Sequence, residues 1–264
     1  MFTLPPSYAW SFPLIVSCVV AACSGSNSAS HVQAPGTEVS AKTRLLETGA
    51  AVLQRKPPLD ALNIYLDGFH FYNGTMQAQV EAHHFCSVLN QEVIQCILFD
   101  GNTNGAKIMG VEYIISKQLF ESLPSEEQSL WHSHVHEVKS GQLIAPGIPG
   151  VAEYELMETI VGTYGKTWHT WHTDQHLPLP IGHPLLMMGF TTDGQAHADM
   201  IQGRDQRFKV HSEDKRLERE PIPSPSIAPG ADAWQKGTIL QLSLNPLQHK
   251  EGMPPHVETK PSAP

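Results

Sequence analysis

Positive charge is scarce in this 264-residue chain: 17 Lys and Arg stand against 26 Asp and Glu, a formal net charge of −9. Phosphate contacts need clustered basic side chains, so a dedicated nucleic-acid binder is excluded. Charge of either sign is thin, at 16% of residues, against about 25% in an ordinary globular chain. Beyond the first thirty positions the chain has no apolar run of the length, about twenty residues, that a spanning helix needs, which excludes a polytopic helical membrane protein. Several catalytic signatures are missing too. The chain has no Gly-x-Ser-x-Gly elbow, no Gly-x-Gly-x-x-Gly or phosphate-binding loop, no His-Glu-x-x-His and no Cys-x-x-Cys. Hydrophobic residues make up 41%, enough to exclude wholesale disorder and to build one large domain with tails.

Residues 11–22 form an apolar segment of signal-peptide length, followed by Val20-Ala21-Ala22-Cys23 and a polar, small-residue stretch. This order matches a bacterial lipobox, although residues 1–22 lack the Lys or Arg of a signal's leading region. The expectation is a signal peptide over 1–22, a lipidated Cys23 and a flexible linker to residue 42. The protein would then be anchored through lipid on the periplasmic face of a bacterial membrane, the outer one by preference. Four cysteines are present; of these, Cys86 and Cys96 are either a disulfide pair or two buried thiols.

Leu45, Leu46, Ala50, Val52 and Leu53 group on one face of a helix over 43–56, stopped by Pro57-Pro58. Helical spacing also links Leu62, Leu66 and Phe69 up to the Asn73-Gly74 break, and then Met76, Val80 and His84. The period changes at residues 95–99 and again at the β-branched run 108–116, which read as two strands of a hairpin. Further helices are expected at 117–123 and 153–162. Residues 221–264 hold nine of the 21 prolines and read as an irregular tail wrapping the domain. The fold class expected is α+β: one domain over 43–220 with a small β-sheet packed by helices.

Histidine is abundant, at 15 residues, and eight of them gather in three segments: His83-His84, His132 to His136, and His169 to His176. Imidazole is the commonest metal-ligand side chain, and carboxylates join it for hard or borderline ions. His83, His84, His132, His134, Glu137 and His169 are the candidate ligands of a divalent metal. As a strand, 132–136 would put all three of its histidines on one face. Glu81-x-x-His84 has the spacing of carboxylate-bridged di-metal bundles, but those need it twice and it occurs once. Glu81, Glu112 and Glu137 have the chemistry for acid–base work beside these histidines.

The segments QVEAHHFCSVLNQEVIQCILFD (79–100), GVEYIISKQLFESLP (110–124), LWHSHVHEVKSGQLIAPGIP (130–149) and TYGKTWHTWHTD (163–174) resemble the oil-body-associated protein family of plants, which has bacterial and fungal relatives filed as a domain of unknown function. The resemblance runs from about Leu59 to Arg219 and takes in all six candidate ligands. It implies a non-enzymatic structural or binding role near a lipid surface, with no established cofactor. Two other readings stay open. One is a metal-dependent enzyme, hydrolytic or oxygen-using. The other is a periplasmic carrier of a lipid or small molecule, with an apolar pocket edged by Trp131, Trp168 and Trp171.

Overall fold

Asn73 and Gly74 are the whole connection between the first two strands, and Gly74 supplies the positive φ, 94°, that so tight a hairpin needs. The computed structural model describes residues 27–244. The expected signal segment, Cys23 and the last twenty tail residues lie outside the described residues. Seven strands follow in order: β1 (Ile64–Tyr72), β2 (Thr75–Asn90), β3 (Val93–Phe99), β4 (Ile108–Ile115), β5 (His132–Ser133), β6 (Tyr164–His169) and β7 (Leu185–Met188). Their order is β4-β3-β2-β1-β7-β6-β5, every pairing is antiparallel, and β4 also pairs with β6. That last pairing closes six strands into a barrel. The short β5 extends β7's side of the seam by pairing with Gly165 and Tyr164.

The expected α+β domain with a small helix-packed sheet is therefore corrected to a closed antiparallel β-barrel with a few helices outside it. The reason lies in β1 and β2, which had the spacing of helices. Met76, Val80 and His84 are four apart, an even spacing that also keeps one face of a strand. β1 is buried on both faces from Leu66 to Tyr72, so it lacks the alternation that marks a half-exposed strand. The hairpin expected at 95–116 is β3 and β4, and the late helix runs from Gly150 to Ile160.

Leu66, Val80, Ala82, Cys86, Leu98, Ile114 and Met187 belong to the main apolar core, which Met157 and Ile160 of that helix join. Cys86 and Cys96 face each other across β2 and β3 and are joined by a disulfide. The tail to residue 244 wraps the outside. Asn73 donates to the Leu240 carbonyl, and the Gln241 side chain bonds the backbone of Asn73 and Leu186.

Asp232 fastens this strap by accepting from both the backbone N–H and the hydroxyl of Ser133. Burial pushes its carboxyl up from 3.8 to about 6. The folded value exceeds the unfolded one, so the stability this group contributes is full below about pH 4 and is lost as pH rises through about 6. Two units correspond to about 3 kcal/mol. Asp232 also sits at φ 51°, a region asparagine tolerates. Asp232→Asn should remove that decline between pH 4 and 7, measured as urea midpoints of both proteins across the range. Parallel curves would refute the assignment.

Candidate functional site

Strand alternation sends Leu66, His70 and Tyr72 of β1 to one face of that strand and Asp67, Phe69 and Phe71 to the other. On β2 it separates His84, facing into the barrel, from His83, facing out. The inner faces converge on Glu112 in the middle of β4. His84 Nε2 lies 2.9 Å and His70 Nε2 3.6 Å from Glu112 Oε2. His134 Nε2 lies 3.1 Å and His132 Nε2 3.6 Å from Oε1. His132 comes from β5, and His134 stands just before the helix Val135–Lys139. That helix's first turn carries Glu137, whose Oε1 lies 3.8 Å from His132 Nε2. His169, at the end of β6, meets the His70 ring edge-on at 5.6 Å between centroids. Glu112 and the histidines of this group are each at most 4% exposed, and Glu137 is 6% exposed.

Five of the six candidate ligands thus lie together. His83 does not join them. Its Nδ1 sits 2.9 Å from Asp67 and 2.8 Å from the Tyr65 hydroxyl, on the outer face. His70 was not among the candidate ligands, and Glu112 was considered only for acid–base work. A glutamate centred in the β-branched run Ile108–Ile115 is a legible signal, since a half-buried strand rarely keeps a carboxylate without a partner. His70 carries no such signal, being a single histidine in a segment with helical spacing.

The neighbours fix two of the ring tautomers. His84 Nδ1 lies 3.0 Å from the Ala82 carbonyl, which only accepts, so Nδ1 bears the hydrogen. The Thr163 hydroxyl donates to the Ile160 carbonyl and therefore accepts from His134 Nδ1 at 2.8 Å. In a neutral ring each Nε2 is then a bare lone pair aimed at a carboxylate oxygen. Burial alone would raise the Glu112 carboxyl, yet hydrogen bonds and positive charge from the side of His134 and His84 hold it well below the usual range, so a positive centre on or between these groups is what keeps it ionised. Acceptor faces acceptor at about 3 Å unless a positive centre lies between them.

Other atoms point the same way. Both ring nitrogens of His132 and of His169, the Nδ1 of His70, Glu137 Oε1 and Thr167 Oγ1 are buried without a hydrogen-bond partner. Burial lowers His132 and His169 to about 3 and His70 well below its ordinary value, so these rings are neutral. Burial, with Glu112 and Asp232 nearby, raises Glu137 well above the carboxylate range.

Two glycines keep the chamber open. A Cβ on Gly165 would lie 2.2 Å from Glu112 Oε1, and one on Gly189 2.0 Å from Glu137 Oε1. Gly165→Ala should therefore cost about 1–3 kcal/mol by overpacking, read from urea unfolding. A change within 0.5 kcal/mol would contradict the packing described.

The three tryptophans of the carrier reading do not share a pocket. Trp131 packs with Phe120 and Tyr164, Trp168 packs against the cluster of Phe71 and Phe190, and Trp171 donates to the Leu177 carbonyl. Two surface hollows among the described residues, of about 770 and 290 Å³, are lined by other residues. Among the described residues no helix is long and apolar enough to cross a membrane.

Residues 56–223 match the family model described as protein of unknown function (DUF1264). The chain is 41% identical over 219 residues to oil body-associated protein 1B of Arabidopsis thaliana, covering 82% of this chain and 91% of that one. It is 42% identical over 218 residues to oil body-associated protein 1A of Zea mays, covering 82% and 92%. Against oil body-associated protein 2A of Zea mays the identity is 38% over 204 residues, covering 76% and 81%. No solved structure matches. The expected address on the periplasmic face of a bacterial envelope is corrected by these relatives, which are plant proteins associated with oil bodies. The lipobox-like order of residues 20–23 is a short pattern and does not outweigh likeness over four-fifths of the chain.

Proposed function

Because this chain belongs to the DUF1264 family and has oil body-associated proteins as relatives, we propose that it is a binding module working at a lipid surface, with its first helix as the contact. The observation that supports this is α1 (Ala41–Leu53), none of whose residues is buried. Ala41, Leu45, Leu46, Ala50, Val52 and Leu53 occupy one half of its circumference with Lys42 and Gly49 among them, and Thr43, Arg44, Glu47, Thr48 and Ala51 lie on the other. Leu45, Leu46, Val52 and Leu53 are 63–83% exposed. A 13-residue helix is about 20 Å long, too short to span a bilayer core of about 30 Å but suited to lying in an interface.

Charge favours an anionic phospholipid layer. Lys42, Arg44, Arg55 and Lys56 lie in or beside this helix against Glu38 and Glu47, in a chain of net charge −9. Each basic residue near such a surface contributes about 1 kcal/mol. Full burial of each large apolar side chain contributes roughly 1.5–3 kcal/mol.

Flotation of the full chain with triacylglycerol droplets coated by phospholipid, with and without 30% (roughly) anionic lipid, tests the reading. The wild type should float with anionic droplets, and Leu45→Glu with Leu53→Glu should reduce binding at least about tenfold. Leu45 and Leu53 are exposed, so that variant should keep the wild-type thermal midpoint. Equal binding by the variant, or none by the wild type, would overturn the proposal.

A further inference from the structure

We propose that the barrel interior holds one divalent transition-metal ion on Glu112, His70 and His132, with His84 and His134 completing its coordination. This goes beyond the lipid-surface reading and shares no residue with it.

The mutual spacing of His70, Glu112 and His132 fits one ion. Two ligand atoms each about 2.1 Å from a metal lie roughly 3.0 Å apart at a right angle and roughly 3.4 Å apart at a tetrahedral one. The four histidine nitrogens lie 2.9, 3.1, 3.6 and 3.6 Å from the nearer oxygen of Glu112. Ligand atoms of His70, Glu112 and His132 all fall within 4.8 Å of one another, as do those of His132, His134 and Glu137.

The outer shell is that of a ligated histidine. His84 gives its Nδ1–H to the Ala82 carbonyl, and His134 gives its own to Thr163, which leaves each Nε2 free to bind. Protons would satisfy the two short contacts with Glu112, but they leave both nitrogens of His132 buried and unpartnered. A single ion takes up the Nε2 atoms of His132, His84 and His134 together, and leaves only His132 Nδ1 of these without a partner.

A second triplet of possible ligands, Asp67, Glu81 and His83, lies on the outside of the barrel. It already has its positive charge. Arg204 pairs with Asp67, and Arg207 pairs with Glu81. Glu112, by contrast, has only histidines as ion-pair partners among the described residues.

An imidazole-rich set with one carboxylate selects manganese, iron, cobalt, nickel, copper or zinc over magnesium and calcium. Five donors exceed the four of a closed zinc site, which favours iron(II) or manganese(II). The ion would tie β1, β2, β4 and β5 together from within. Its chamber walls are at most 6% exposed, so exchange requires the barrel to open.

The test strips the purified full chain with a chelator, dialyses it against each ion in turn, and measures bound metal by mass spectrometry. The wild type should keep one transition-metal ion per chain and neither magnesium nor calcium. His70→Ala and His132→Ala should each lose at least about tenfold in affinity. Thr163→Val preserves shape and removes only the acceptor that sets the His134 tautomer, so it should still fold and yet lose about 10–100-fold. The exposed His197→Ala and the outer Glu81→Gln should bind as the wild type does. A folded wild type that retains no stoichiometric ion, two ions per chain, an unaffected Thr163→Val, or an ion lost in Glu81→Gln would each overturn the proposal.

Discussion

Glu112→Gln should abolish the difference in stability between metal-loaded and metal-stripped protein. Glutamine keeps the shape of the side chain but loses the charge on which four histidines converge within 3.6 Å. An ion present at 100–1,000 times its dissociation constant stabilises the fold by about 2.7–4 kcal/mol. In a chain of this size that is a rise in Tm of roughly 5–15 °C. The wild type should show that rise on loading, and Glu112→Gln should show none. Calorimetry of both proteins, loaded and stripped, reads all four values. An equal rise in the two proteins would mean that the ion binds elsewhere.

Arg204→Met should destabilise the chain by about 3–5 kcal/mol, the cost of leaving a buried charge without its partner. Arg204 is fully buried over the Phe69 ring. Its guanidinium donates to Asp67 at 3.1 Å, to Asp205 at 2.8 Å and to the Gln142 carbonyl at 2.7 Å. Burial would raise the Asp67 carboxyl, but His83 and Arg204 keep it below its ordinary value, so it is a buried anion. Methionine fills the volume and removes the charge. Adding Asp67→Asn should recover more than half of the loss, since no buried anion then remains. Metal content should stay at the wild-type level in both variants, because this network faces away from the chamber. Urea unfolding of the single and double variants measures the two steps. A single variant within 1 kcal/mol of the wild type would contradict the network's role.

The sequence reveals strands where one face is wet and hides them where both are dry. β4 is legible from its β-branched run, because Ile108 and Tyr113 still face solvent. β1 is covered outside by the helix Ala198–Phe208 and inside by the core, so its apolar residues follow no period of two. That pairing of dry faces is also why barrel closure through β4 and β6 was not foreseen: it depends on contacts between residues some fifty positions apart. Among the site residues, the clustered histidines stand out by abundance. Their separation into His84 inside and His83 outside follows only once β2 is known to be a strand. His70 enters the chamber by register with Val80, a long-range fact that no local pattern encodes. Glu112 was visible as a carboxylate in an apolar strand, but its central place among four imidazoles was not.

The most direct measurement is anomalous diffraction at the absorption edge of the bound metal, from crystals of the loaded full chain. One peak is expected inside the barrel, about 2.0–2.3 Å from Glu112 and from the Nε2 atoms of His70 and His132. A barrel with no peak in fully loaded protein, or a peak at Asp67, Glu81 and His83, would contradict the buried centre.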